Sequence, residues 1–526
     1  MNLLLILFPN QLFPHEYLKK ILDYTEDNLK IKSIHIILWE HPYFFTLYPY
    51  HKTKLVFHRA TMKNYFDDLE KFKLLRTKGS TKLYVEFTQP ESVLIKYIEL
   101  KQIDQVRFFN PIEKELINLI KTNKILNQIE KLIFTTPYFL NSTNHETNNE
   151  IYAKLKVSRH DLFYKSQRIS WNIMVKKSGS KYVPDGGAWS FDKSNRNKFD
   201  DSIQSEPKLI YFKDKKTTKY LTDANIWVQK HFPNNYGMVD LENWIYPINR
   251  TQSIKWLDFF IQTKLDNFGK YEDALSSKIK FGYHSLLSAV TGIGLVLAKE
   301  IVEKVSLYNK NIASKEGFLR QIIGWREYCY YTYDLFSQTL KTKLFYKSSK
   351  SIPRKFWEIT TQIPPIDNIL KSLNQNAYSH HIERLMGVGN FLILIGVSIH
   401  EISDWFRVMY IDAYDVFMIP NVYGMLGYGF LENSTHMMTR PYFASSNYII
   451  KMSDYKSEEC VHIDDKIYKW DEIMDGLYWN HIQTYSKEFE KIYSTASAVA
   501  MWNKFNIDKK KRLENLAKLY IKWIYS

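Results

Sequence analysis

Thiols, long apolar runs and repeats are what this 526-residue chain has little of, and each scarcity excludes something. Only two cysteines occur, Cys329 and Cys460, far apart and at no metal-binding spacing. That excludes a disulfide framework and points to a reducing, intracellular compartment. No apolar run approaches the length of a membrane span. The opening Met1–Phe8 stretch is apolar, but it lacks a basic leading segment and ends at Pro9-Asn10. It is expected to be a buried first strand rather than a secretion signal. No internal repeat is found, and Gly and Pro punctuate helix ends instead of forming a low-complexity tract.

What is present in excess is aromatic: 16% of residues, with 38 Tyr, 32 Phe and 13 Trp, in an otherwise ordinary soluble composition. Two readings stand side by side. The rings either fill cores under a compositional bias, or serve a function that uses them: stacking on bases, holding a planar cofactor or relaying electrons. The formal net charge of +16 points to a polyanionic partner, or reflects the same Lys-rich bias.

The chain reads as three parts. Leu3–Phe8, Ser33–Trp39, Lys82–Phe87, Gln105–Phe109 and Lys131–Thr135 are predicted strands. They alternate with predicted helices at Glu16–Tyr24, Ala60–Lys71 and Ile112–Thr122, so residues 1–135 form an α/β domain with a parallel sheet. Residues 136–215, rich in Asn, Ser, Lys and Gly, read as a partly structured linker. Residues 216–526 are helical throughout, with predicted helices at Ile254–Leu265, Ala298–Leu307, Gly317–Tyr330, Ile366–Asn374, His380–Ile395, Lys487–Ala496 and Arg512–Ile524.

Four segments carry chemistry. His380 and His381 head an apolar, helical run, so each is either a satisfied core histidine or a proton donor in a dry pocket. Ser285 and Ser288 sit at a helix start before Gly292 and Gly294, where hydroxyls and free N–H groups either receive a phosphate or merely cap the helix. Trp325 beside Arg326 and Glu327 reads, alone, as a core ring flanked by a surface ion pair. Arg384 and Asp412 are candidates for a buried ion pair, which is costly unless hydrogen-bonded and is therefore expected to serve a ligand.

The order of these segments resembles the cryptochrome/photolyase family, within it the bacterial-type branch of (6-4) photolyases and photolyase-related proteins. The resemblance runs through Gly186–Asp192 with Asn195-Arg196, Trp244–Pro247, Phe268–Ala274, Tyr283–Ser288, Arg320–Tyr328, His380–Met386, Pro420–Met425 and Arg440–Ser445. It implies an α/β N-terminal antenna domain with a Rossmann-like parallel sheet, followed by an all-helical FAD-binding domain. It implies FAD contacts at Tyr283, Ser285, Leu286, Ser288, Arg320, Trp325, Arg326, Arg384, Asn390, Asp412 and Met418. His381 matches the catalytic histidine of (6-4) photolyases, where cyclobutane-dimer photolyases carry Asn; His380 would tune or support it, and Tyr442 would line the lesion pocket. Trp405, Trp357 and Tyr448 match the electron-transfer chain, and Phe406 stands where a redox-active Tyr is usual.

The implied activity is light-driven (6-4) repair of UV-damaged DNA with the lesion flipped from the duplex. The alternatives are a blue-light photoreceptor without repair, a cyclobutane-dimer photolyase, or a nucleic-acid binder without catalysis. The protein is expected to be a monomer, off the membrane, in cytoplasm, nucleus or virion; Lys509–Arg512 reads either as a nuclear signal or as a solvated helix start. A lumazine-type antenna is implied at Asn10, Gln11 and Glu40, with Asn10 where Asp is common. Met418 stands near flavin N5 where relatives carry Asn or an acid, implying altered redox behaviour. The branch's four cluster cysteines are here Pro365, Lys456, Glu459 and Glu472 with Cys460 alone nearby, so no [4Fe–4S] cluster is expected. A Lys456–glutamate pair is expected to join the C-terminal helices in its place.

Overall fold

The computed structural model describes residues 1–24, 30–123, 126–141, 143, 145–155, 159–432 and 435–526. Strands β1 (Asn2–Leu7), β2 (Ser33–Trp39), β3 (Thr81–Val85), β4 (Gln105–Phe109) and β5 (Glu130–Phe134) form one parallel sheet in the order β3-β2-β1-β4-β5. The opening apolar run becomes the central strand. Leu3 to Leu7 are wholly buried because a parallel strand is covered on both faces, which is why it reads as continuous rather than alternating hydrophobicity.

Strand order reverses between β1 and β4, where doubly wound folds open a ligand crevice. In this chain protein atoms bridge that edge. Gln11 Nε2 donates to Phe109 O at 3.1 Å, Asn10 Nδ2 to Pro111 O at 3.4 Å, and Leu12 N to Ile293 O of the helical region at 2.9 Å. The C-terminal edge of the sheet is thus a docking surface for the helices. From the same side, His51 N donates to Val408 O at 2.9 Å, Lys54 Nζ to Arg407 O and Ala413 O at 3.2 and 2.9 Å, and Glu113 accepts from Asp415 N at 3.0 Å. These contacts hold the segment that carries Asp412.

Residues 136–215 contain the helices His145–Leu155 and His160–Ser170 and a hairpin of Val175–Ser178 with Lys181–Pro184. The remainder is mostly helical, beginning with Lys215–His231, whose N-terminus Asp214 caps by accepting from Thr217 N at 3.0 Å.

Several predicted elements are redrawn. The helix expected from Ala60 runs Lys52–Asp68, because His51 Nδ1 accepts from Thr53 N and starts it earlier. Gly317–Tyr330 and His380–Ile395 are not continuous α-helices: Arg320–Arg326 and Glu383–Gly389 are π-helical, as is Ile419–Leu426. Such loosened turns are rare and gather at functional sites. One has a visible requirement, since a Cβ on Gly389 would lie 2.5 Å from Arg384 O. Lys487–Ala496 is broken between Ser486–Phe489 and Tyr493–Lys504, and Thr495 Oγ1 donates to Phe489 O at 2.8 Å.

Within the region expected to be all helix, Cys460–Ile463 and Lys466–Lys469 pair as a hairpin around Asp464, whose φ of +51° suits a tight turn. The hairpin delivers Trp470 to the core, where it is 0% exposed. Its indole donates to Lys456 O at 2.8 Å, and its backbone N–H to Glu459 O at 3.2 Å. No helix among the described residues is long and apolar enough to cross a membrane. Trp470→Ala is expected to destabilise the chain by about 3–5 kcal/mol, read as a lower denaturation midpoint in urea, through the cavity and the orphaned Lys456 carbonyl.

Candidate functional site

The centre of the helical region is an ion pair. Arg384, on the π-helical turn Glu383–Gly389, donates from Nη1 and Nη2 to Asp412 Oδ1 and Oδ2 at 2.9 and 3.0 Å, and from Nε to Ser379 O at 2.8 Å. Burial alone would raise the Asp412 pKa. The Arg384 guanidinium and the Ser288 hydroxyl outweigh it and hold the carboxylate below its usual range. Ser288 thus joins the pair to the predicted phosphate loop. In that loop Leu286 has φ +55°, a left-handed conformation that a branched side chain adopts only where its surroundings impose it.

Arg326 faces the same region. Its guanidinium lies 4.5 to 5.0 Å over the rings of Tyr138, Phe139 and Phe417, its Nη2 reaches Tyr138 O at 3.3 Å, and its Nε has no hydrogen-bond partner. It makes no ion pair among the described residues. An arginine caged by rings with an unfilled donor is the group an anionic phosphate would complete. Glu327 does not pair with it at the surface: it is buried, accepts from Leu140 N and Asn141 N at 2.9 and 3.1 Å, and has its pKa lifted to about 7 by burial.

Three histidines form the second element. His284, in the Tyr283–Ser288 loop, stacks on His380 at 4.6 Å and 8°, and meets His381 edge-on at 5.7 Å. Burial drives the pKa of His284 and His380 well below the usual value, so both rings are neutral. His284 Nε2 and His380 Nδ1 lack hydrogen-bond partners. His381 differs: its side chain is 45% exposed, and its Nε2 meets Asp273 Oδ1 at 3.1 Å. Ring nitrogens of the three lie within 4.8 Å of one another. The stacked pair aims its in-plane lone pairs along parallel planes, so a shared metal ion would require one ring to turn. His284 and Asp273 lay inside motifs readable in the sequence, but only the fold brings them to the histidine pair.

Other expected residues are placed as follows. Tyr283 stacks on Tyr271 at 5.4 Å. Tyr442 sits under Arg440 at 5.4 Å. Tyr448 lies beside Asp273, Arg196, Arg440 and Tyr442, with its phenol pKa raised by burial and then by Asp273. That is at the histidine mouth; Trp405 instead contacts Phe356 at 5.2 Å, and Trp357 stacks on Tyr236 at 4.3 Å. Arg320 is held by Asp192, Glu316 and Glu272. Trp325 stacks on His160 at 3.8 Å. Asn390 clamps the loop that carries Tyr442, donating to Ala444 O and accepting from Ala444 N, both at 3.0 Å. Met418 is buried at the end of the short helix Asp415–Met418. Glu40 is buried and accepts from Arg59 Nη1, Tyr84 and Phe87 N at 2.7, 2.5 and 3.3 Å, an internal clamp rather than an open antenna contact.

At the four positions where the resemblance leads one to expect cluster cysteines, the donor set does not fit an iron–sulfur centre held by thiolates. Trp470 is bonded between the Lys456 and Glu459 carbonyls, Pro365 opens the helix Pro364–Asn376, and Cys460 is exposed. Among the described residues Lys456 pairs with no glutamate; Glu472 pairs with Arg512 at 2.7 Å, and the buried indole bonds to the Lys456 carbonyl.

Comparison with known proteins bears on the whole arrangement. Residues 5–244 match the family model of deoxyribodipyrimidine photo-lyase-related proteins. A (6-4) photolyase of Agrobacterium fabrum is 32% identical over 371 residues, covering 69% of this chain and 70% of that protein. The chain belongs to the cryptochrome/photolyase family. An uncharacterized protein of Acanthamoeba polyphaga mimivirus, R855, is 32% identical over 111 residues, 20% of this chain and 80% of its own length. The photolyase/cryptochrome fold recurs in a bacterial class III photolyase from Agrobacterium tumefaciens, with TM-score 0.53, 14% identity and coverage of 99% and 98%. It recurs again in a cryptochrome of Synechocystis sp. PCC6803, with TM-score 0.54, 15% identity and coverage of 99% of both chains.

Behind the histidines, Glu383 Oε2 accepts from His380 N at 3.2 Å, and burial lifts its pKa to about 8, so it is protonated at neutral pH. An acid whose folded pKa is raised stabilises fully below its ordinary value of 4.5 and loses that contribution as pH climbs to about 8. Glu383→Gln mimics the protonated form. Relative to it, the parent chain is expected to lose up to about 1.4 kcal/mol per pH unit across that window, measured by denaturant unfolding at a series of pH values.

Proposed function

We propose that this family member is a light-dependent (6-4) photolyase that uses reduced FAD. The observation that carries the reading is the asymmetry of the three histidines: two are buried and neutral, and the third stands at the mouth, tethered to a carboxylate. Asp273 occupies His381 Nε2, so that in its imidazolium form the ring would hand the Nδ1 proton to a lesion lying over it and return to a neutral ring held by Asp273. An asparagine at this position has no proton of comparable acidity to give. Neutral His284 and His380 put no second cation beside His381.

The flavin, when bound, supplies one light-driven electron to the lesion. Arg384 and Asp412 would fix the ring system, Ser285, Ser288 and Arg326 the diphosphate. A flipped dinucleotide would lie over His381, with Tyr442 as a wall and the exposed Arg440 as a phosphate contact. The basic charge of the chain supports binding to DNA backbone without sequence preference. We further propose that the chain carries no iron–sulfur cluster, since the buried Trp470 makes the contacts there.

The test is repair under illumination of oligonucleotides that carry either a (6-4) photoproduct or a cyclobutane dimer, by the FAD-loaded, reduced chain. Repair of the (6-4) lesion alone is expected, and His381→Ala should slow it by about 10²–10⁴-fold with DNA affinity retained. Repair of the dimer alone would assign the other photolyase activity, and repair of neither would favour a photoreceptor. Iron and acid-labile sulfide assays on the same protein are expected to find no stoichiometric iron.

A further inference from the structure

Trp405 is buried in the helix Ile399–Met409 and touches three rings; Phe406, at 5.2 Å, leads on only to Tyr410 at 5.0 Å, which leaves two aromatic ways out. One is Tyr410, its ring 5.8 Å away. The other is Phe356 at 5.2 Å, whose chain neighbour Trp357 is half-buried and stacks on Tyr236 at 4.3 Å and 20°. The two differ in charge. The Arg384 guanidinium lies 4.2 Å over the Tyr410 ring and acts on it more strongly than its partner Asp412 does, so a positive charge arriving there meets the cationic end of the pair. They differ also in access to water. Tyr410 is 0% exposed and its hydroxyl has Ser379 Oγ at 3.0 Å, which is no base for a phenolic proton; Tyr236 is 40% exposed.

The seat of Tyr236 is built. Lys52 N donates to Tyr236 O, Lys52 Nζ to Pro233 O, Asn235 Nδ2 to Tyr50 O and Met238 N to Asn374 O, all at 2.8 Å. Gly237 has φ +87°, and a Cβ there would lie 2.1 Å from the His51 ring. Four hydrogen bonds and a side chain that must be absent hold one exposed phenol flat on one indole.

We propose that Tyr236 is the surface terminus of the electron path through Trp405 and Trp357, supplying the phenol that Phe406 lacks. The inference rests on the flavin reading above. Trp405 gives one electron to a light-excited oxidised flavin. Trp357 returns one to Trp405 across Phe356. Tyr236 returns one to Trp357 and releases its hydroxyl proton to water, which leaves a neutral tyrosyl radical that a soluble thiol repairs by donating a hydrogen atom.

The test is flash illumination of the FAD-loaded chain without added reductant, with the radical identified by electron paramagnetic resonance and transient absorption. The parent chain should show a tyrosyl radical. Tyr236→Phe, which keeps the stacked ring, should show a tryptophan radical instead, with accumulation of reduced flavin falling by about tenfold. Trp357→Phe should remove both long-lived signals, and Tyr236→Trp should restore photoreduction with a tryptophan signature. An unchanged tyrosyl signal and yield in Tyr236→Phe would overturn the inference and leave the flavin reading standing. A chain that retains no flavin would overturn both.

Discussion

The arrangement depends on one buried ion pair. Arg384 and Asp412 neutralise each other through two parallel hydrogen bonds, and loss of either partner would strand a charge in the interior at a cost of about 3–5 kcal/mol. Both flanks are built to hold it. On one side Glu383–Gly389 winds as a loosened turn that brings the Arg384 carbonyl against Gly389. On the other, the α/β domain grips the Asp412 segment through His51, Lys54 and Glu113. Lys54 approaches from behind with an amine whose pKa burial pulls down to about 7, so the second cation near Asp412 is a weak one. The sheet therefore acts on the site without contributing a residue to its mouth.

Around that pair, ionisation is sorted by depth. Deep groups are pushed to their neutral forms: His284 and His380 lose protons, and Glu383 keeps its own. His381 is the exposed member of the three, and Asp273 orients it. The three π-helical turns lie where this sorting happens, carrying Arg326, Arg384 and the segment that follows Met418. Each adds a residue to a turn and so re-aims side chains that an ideal helix would direct elsewhere.

Much of this was legible in the sequence, and the remainder has physical reasons for being hidden. The central strand was readable because burial on both faces demands an unbroken apolar run, and the histidine pair and Arg384–Asp412 because charged groups in apolar helices are conspicuous. The π-helical turns left no signal, since their hydrogen-bond pattern is set by packing. His284 and Asp273 acquire meaning only through contacts with a distant helix. Asn390 looked like a ligand group, yet both of its amide atoms are engaged by Ala444, and Tyr448 falls at the mouth rather than beside Trp405. That Pro365, Lys456, Glu459 and Glu472 carry no thiol is plain in the sequence, whereas the burial of Trp470 beside Lys456 and Glu459 was not, because a tryptophan at a hairpin's end resembles any core residue.

The central claim is that the Arg384–Asp412 pair exists to hold a flavin. Titration of FAD into Asp412→Asn tests it most directly, with folding of the same sample followed by circular dichroism. The account predicts a folded chain whose affinity for FAD has dropped by at least about tenfold, a loss of roughly 1.4 kcal/mol. A folded Asp412→Asn chain that binds FAD as tightly as its parent would contradict it.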